Sequence, residues 1–190
     1  MKKIIHNYFL PAFILLLAFS FKSDNDILIW KEGRPLTWDD FNGMPERRFA
    51  AASTHYDILK SISKKEDESV TVKIEAVFFR SSSWKKKSWV NEQVLAHEQK
   101  HFDIVELFAR KLRRSIQESK FKNYLEVTQK VNELYDKNDK EMDIYQDKYD
   151  DETDGSMNGA KQREWEKKIT KEINDLKKFE KTYIGIVLYS

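Results

Sequence analysis

Apolar and polar residues alternate through residues 70–79, with Val70, Val72, Ile74, Ala76 and Phe78 set against Thr71, Lys73 and Glu75. A period of two sends one set to a buried face and the other to solvent, so this segment predicts a half-buried strand. Two earlier segments share that character. Residues 27–30 (Ile-Leu-Ile-Trp) form a short apolar run closed by a turn at Gly33 and Pro35, and residues 51–59 are rich in β-branched and aromatic types. The charged run 64–68 predicts a turn before the third strand. From Asn91 the period lengthens: Val94, His97, His101, Val105, Phe108 and Leu112 recur at spacings of three and four, one face of a helix reaching about Glu118. A second helix is predicted from about Tyr124 to Tyr145, with Val127, Val131, Leu134 and Met142 inward. A third runs from about Ala160 to Glu180, with Trp165, Ile169, Ile173 and Leu176 as its stripe. Between these two helices, residues 149–158 are acidic, contain Gly155 and predict an ordered loop; residues 184–189 suggest a final strand. Strands followed by helices predict an α+β fold, a small antiparallel sheet and then three long helices.

The first twenty residues stand outside that pattern. Lys2 and Lys3 are their only Lys, Arg, Asp or Glu, an almost unbroken apolar run fills residues 8–19, and Ala18-Phe19-Ser20 offers a small-x-small cleavage site. This is the layout of a secretory signal peptide, with an apolar run shorter than the ~20 residues a spanning helix prefers. Residues 1–20 are therefore read as a signal peptide. Residues 21–190 are read as one exported domain, periplasmic or secreted, with no stable membrane span after cleavage. The chain carries 34 Lys and Arg against 32 Asp and Glu, so without Lys2 and Lys3 the balance is neutral. Neutrality argues against nucleic acid as a partner, because displacing counterions from phosphates takes a surplus of cations. The run Lys85-Lys86-Lys87 reads as a solvated edge for the same reason. The absence of cysteine excludes disulfide scaffolds, thiol catalysis, iron–sulfur clusters, cysteine-based zinc fingers and a lipoprotein anchor.

The candidate chemistry is His97-Glu98-Gln99-Lys100-His101, an H-E-x-x-H on the first predicted helix. Residues four apart lie one above the other, so both imidazoles can reach one metal ion from one face. Glu98 is offset by about one hundred degrees and can stand beside the ion as a general base without being a ligand. Both histidines fall on the apolar stripe, where an unpaired imidazole loses hydration without compensation. The third ligand has to come from another element. Ile104 and Leu107 stand where a longer motif would need Gly and His, and Glu106 lies about 140 degrees around the helix from His101. The candidates left are His55 on a predicted strand and the carboxylates of residues 150–154, including Asp150 and Asp154.

Together with its flanks, this motif resembles a bacterial family of predicted secreted zinc-dependent proteases, a domain of unknown function marked by H-E-Q-x-H-F. The matching residues are Leu36-Thr37-Trp38-Asp39-Asp40-Phe41, Ala51-Ala52, Ser88-Trp89-Val90, residues 95–103 around the H-E-x-x-H, Tyr149-Asp150 with Thr153, and Gln162 with Trp165. The resemblance implies a zincin-like fold and a zinc-dependent hydrolase, with a peptide or protein as substrate. His97 and His101 would be ligands and Glu98 the general base. Relatives commonly carry a His shortly after the Thr of the later motif, where this chain has Asp154-Gly155. Asp150, which keeps the Tyr-Asp motif, is the expected third ligand, ahead of Asp154 and His55. The alternative function is an envelope binding or structural protein that retains the fold and has lost efficient catalysis.

Overall fold

The structure is a computed structural model and describes residues 26–189; the signal-peptide reading of residues 1–20 lies outside them. The order is β1 (Ile27–Ile29), a 3-10 turn at Trp38–Asp40, β2 (Ala52–Ser53), β3 (Tyr56–Lys64), β4 (Val70–Phe79) and β5 (Trp84–Lys85). Helices α1 (Glu92–Gln117), α2 (Tyr124–Thr153) and α3 (Gly159–Asp175) follow, then a 3-10 turn at Lys177–Phe179 and β6 (Tyr183–Ile186). The chain is α+β, with a small antiparallel sheet and three helices. β4 is the spine of the four-stranded sheet. β3 pairs along nearly its whole length, Tyr56 opposite Phe78 through Lys64 opposite Val70. β1 and β6 share its other edge, opposite residues 77–79 and 70–73 respectively. A second, two-stranded ribbon joins β2 to β5.

The alternation in β4 puts Val70, Val72, Ile74, Ala76 and Phe78 on the face that packs against α1. α1 itself differs from the one-stripe reading: every residue from His101 to Arg110 is buried. The cause is its place between the sheet on one side and α2 and α3 on the other. The charged residues this buries are paired. The Glu106 carboxylate accepts from Arg110 Nε at 2.8 Å and from Arg113 at 3.0 and 3.1 Å. The two guanidinium groups also donate to the carbonyls of Ile74, Ile173 and Phe179, tying α1 to β4 and to both ends of the α3 exit.

Three further boundaries differ from the sequence reading. The strand expected over 51–59 is broken at Thr54 and His55 into β2 and β3, and β3 continues to Lys64. The third helix stops at Asp175, short of Glu180, and becomes a 3-10 turn. The acidic stretch expected as a loop is helical through Thr153, so α2 is two turns longer than its apolar stripe indicated. Each long helix opens on an asparagine cap: Asn91, Asn123 and Asn158 accept from the backbone N–H of Val94, Glu126 and Lys161, a contact worth about 1 kcal/mol apiece.

Candidate metal centre

His97 and His101 rise from the second and third turns of α1, and Asp150 comes from the last turn of α2. A ligand atom from each lies within 4.8 Å of the other two. The Nε2 atoms of His97 and His101 are 3.1 Å apart, and Asp150 Oδ1 is 3.0 Å from each. Both imidazoles are buried, whereas the Asp150 side chain is 52% exposed and closes the group from the solvent side. Asp150 can do this because α2 is still helical there: its carboxylate shares a face with Gln146, one turn earlier, which also meets α1. The other two candidates stay apart. His55 is exposed on the break between β2 and β3, and Asp154 is exposed at the C-cap of α2.

The far nitrogen of each imidazole is committed. His101 Nδ1 is 2.7 Å from Gln146 Oε1, and the same amide donates from Nε2 to the His101 carbonyl at 3.0 Å. His97 Nδ1 is 3.1 Å from Gln162 Oε1, whose Nε2 donates to Glu166 at 3.2 Å. Each amide is thus oriented by a second bond that presents its oxygen to the ring. An amide oxygen only accepts, so each Nδ1 carries the hydrogen and each neutral ring turns a bare Nε2 lone pair toward Asp150. Tyr149 reinforces this. Its ring stacks on His97 at 4.7 Å and its hydroxyl donates to Gln162 Oε1 at 2.9 Å. Burial pushes its phenol pKa up, and the hydroxyl is spent on positioning.

Three acceptors brought this close repel one another unless a cation or proton sits among them. Without a metal, the proton goes to His101. Burial alone would lower the pKa of that imidazole, but the hydrogen bond and charge of Asp150, then Glu98 and Gln146, outweigh burial and raise it to about 9. At Asp150 burial pushes upward and the bonds from His101 and His97 overcome it, holding the carboxyl well below the usual carboxylate range.

The group lines a cavity of about 330 Å³ whose wall includes Glu98, Thr54 and Tyr56. Glu98 is buried and accepts from the Thr54 hydroxyl at 2.7 Å through Oε2, which leaves Oε1 without a bond among the described residues. The Tyr56 hydroxyl makes no hydrogen bond among the described residues. Burial, then the charges of Asp143, Asp150, Asp147 and Asp139, push its phenol pKa up. Gly155 also borders the cavity, with φ +51° and nothing within 4 Å of where a Cβ would stand. Its neighbours Asp154 and Ser156 hold φ of 50° and 80°, a left-handed conformation that costs roughly 1–2 kcal/mol per residue outside glycine. Ser156 is steadied by Gln93, whose side-chain amide donates to its carbonyl.

Sequence reasoning missed Gln146, Thr54 and Tyr56. Gln146 had a signal, since it stands four residues before Asp150, but only for a stretch read as helix. Thr54 and Tyr56 carried none; the β2–β3 break aims them. Two motif residues outside the site, Asp40 and Asp103, are structural. Asp40 accepts from Thr37 N and from Arg80 at 2.9 and 2.8 Å, and Asp103 accepts from Trp30 Nε1 and Gln99 Nε2, also at 2.9 and 2.8 Å.

No curated protein and no solved structure matches the chain. One family model does, over residues 42–159, more than half of the chain and all three candidate ligands; it is described as a bacterial protein of unknown function (DUF922).

Proposed function

We propose that this chain, which belongs to the DUF922 family of bacterial proteins of unknown function, is a zinc-dependent hydrolase of peptide bonds with a zincin-like fold that works outside the cytoplasm. The observation that carries the reading is the convergence of two bare imidazole nitrogens and one carboxylate oxygen on one point. The donor set fits zinc. Ligands at about 2.0–2.1 Å from a tetrahedral ion stand about 3.3 Å apart, close to the 3.0–3.1 Å separating these three. Two nitrogens and one oxygen are a poor set for calcium or magnesium, which take oxygen ligands. Three protein ligands also leave one position open, as catalytic zinc sites do.

When bound, such an ion supplies Lewis acidity at a carbonyl and lowers the pKa of water. The protein supplies the rest. Glu98 Oε1 takes a proton from the attacking water and returns it to the leaving nitrogen, while Thr54 fixes the other carboxylate oxygen. Tyr56, kept protonated by burial and its acidic neighbours, donates a hydrogen bond to the substrate carbonyl oxygen. Gln146 and Gln162 hold the ring tautomers. Export rests on the character of residues 1–20, and among the described residues no helix is long and apolar enough to cross a membrane.

One observation favours the alternative. The separations in the group are also hydrogen-bond distances, and a proton on His101 Nε2 joins it to Asp150 Oδ1 at 3.0 Å without a metal. Turnover of a generic protein substrate by the zinc-loaded chain, absent in Glu98→Gln with zinc still bound, supports the hydrolase. An inert wild type, with zinc bound or without it, supports the binding protein.

A further inference from the structure

The mouth of the candidate centre carries apolar side chains that nothing among the described residues covers. Phe49 is 91% exposed, Met157 74% and Trp89 47%. Scattered exposed apolar residues are ordinary, but a cluster of large ones beside a cavity is not. Phe49 and Trp89 are ordered against each other edge to face, with ring centroids 5.5 Å apart, and the Lys86 ammonium lies 4.6 Å from the Trp89 ring centre. Phe49 and Trp89 border a groove of about 640 Å³ that Met157 also lines. This groove and the cavity of the His-His-Asp group are continuous: Phe49, Ala51, Val94 and Gly155 line both. Gly155, which borders both, has no side chain, and nothing lies within 4 Å of where its Cβ would stand.

We infer that this groove is the specificity subsite of the centre, taking a large apolar side chain of an extended peptide, aromatic or leucine-like, beside the residue whose carbonyl lies at His97, His101 and Asp150. The inference rests on the hydrolase reading and adds to it the substrate class. Its argument is continuity. A peptide with a carbonyl in the smaller cavity has a neighbouring side chain that must point either to solvent or into the groove. The groove offers two preorganised aromatic walls and a thioether, and burying an apolar side chain against them removes water from both partners. An acidic side chain gains nothing there.

The test uses the full chain loaded with zinc and four peptide hydroxamates that differ only in the residue adjoining the one whose carbonyl is the hydroxamate: Phe, Leu, Ala or Asp. Calorimetry should show Phe and Leu binding at least roughly tenfold more tightly than Ala, with Asp weakest. The double variant Phe49→Ser with Trp89→Ser should bind the Ala compound within about threefold of wild type and lose the preference for Phe and Leu. Its zinc content should be unchanged, which shows that the site survives. Equal affinity for all four compounds, or a preference that persists in the double variant, overturns the subsite while leaving the hydrolase standing. No binding of any hydroxamate by zinc-loaded protein overturns both. A wild type that is dimeric in sedimentation at working concentration, and monomeric as Phe49→Ser with Trp89→Ser, assigns the patch to a second copy and overturns the subsite.

Discussion

His97 and His101 face each other through Nε2 atoms 3.1 Å apart, each held there by a glutamine on a different helix: Gln162 of α3 behind His97 and Gln146 of α2 behind His101. The pair on α1 is therefore built by three helices. The H-E-x-x-H spacing brings the rings to one face, and the two amides decide which nitrogen each ring presents.

Removing one amide should loosen the metal without unfolding the protein. Gln146→Leu is expected to weaken zinc affinity by roughly 10–100-fold, the range usual for partners behind a ligand. Gln146→Glu, which still accepts from Nδ1, should retain most of it. Competition against a chromogenic chelator reads both, and an unchanged affinity in Gln146→Leu would remove the amide from the account.

The shifted pKa of His101 gives opposite pH behaviour with and without metal. Its folded value, about 9, lies above the ordinary 6.5. In metal-free protein its stabilisation is fully present below about pH 6.5 and is lost as pH rises through 9. The melting temperature of metal-free protein should fall across that window. Zinc-loaded protein should show no such fall, and its zinc affinity should rise from pH 7 to 9 as the competing proton leaves. Parallel melting curves at all pH values would contradict this.

Much of the candidate centre is legible in the sequence. His97, Glu98 and His101 follow from helical spacing alone, because an i, i+4 pair shares a face wherever the helix lies. β4 was legible for a similar reason, since one of its faces is partly exposed at Thr71, Lys73 and Glu75 and the alternation survives there. The burial of the other faces of α1 was not legible, because its buried charges, Glu106, Arg110 and Arg113, look solvated in sequence and are paired in space. The end of α2 was hidden for another reason. After Met142 its inward residues are Gln146, Tyr149 and Thr153, which no apolar pattern marks.

Those buried charges make a prediction far from the site. Glu106→Gln leaves Arg110 and Arg113 without their counter-ion, a change expected to cost about 3–5 kcal/mol in denaturant unfolding. Zinc affinity at 25 °C should stay within a few-fold of wild type, because Glu106 has no contact with the ligands. A loss of affinity without a loss of stability would reverse the assignment.

Glu98 and Thr54 separate chemistry from metal binding. Glu98→Gln should lower kcat by roughly 10²–10⁴-fold with zinc retained, because an amide cannot take the proton. Thr54→Val should lower kcat less, with KM little changed, since the carboxylate remains and only its anchor at 2.7 Å is lost. Single-turnover rates on zinc-saturated variants check both, and a Thr54→Val effect confined to KM would place Thr54 at the substrate.

The most direct measurement is elemental analysis of tag-free protein dialysed against a weak chelator. One zinc per chain is expected for the wild type and none for His97→Ala with His101→Ala. Asp150→Ala should bind far more weakly, because it supplies the oxygen 3.0 Å from both rings. A wild type that holds no metal, or a folded His97→Ala, His101→Ala protein that keeps one, would contradict the account.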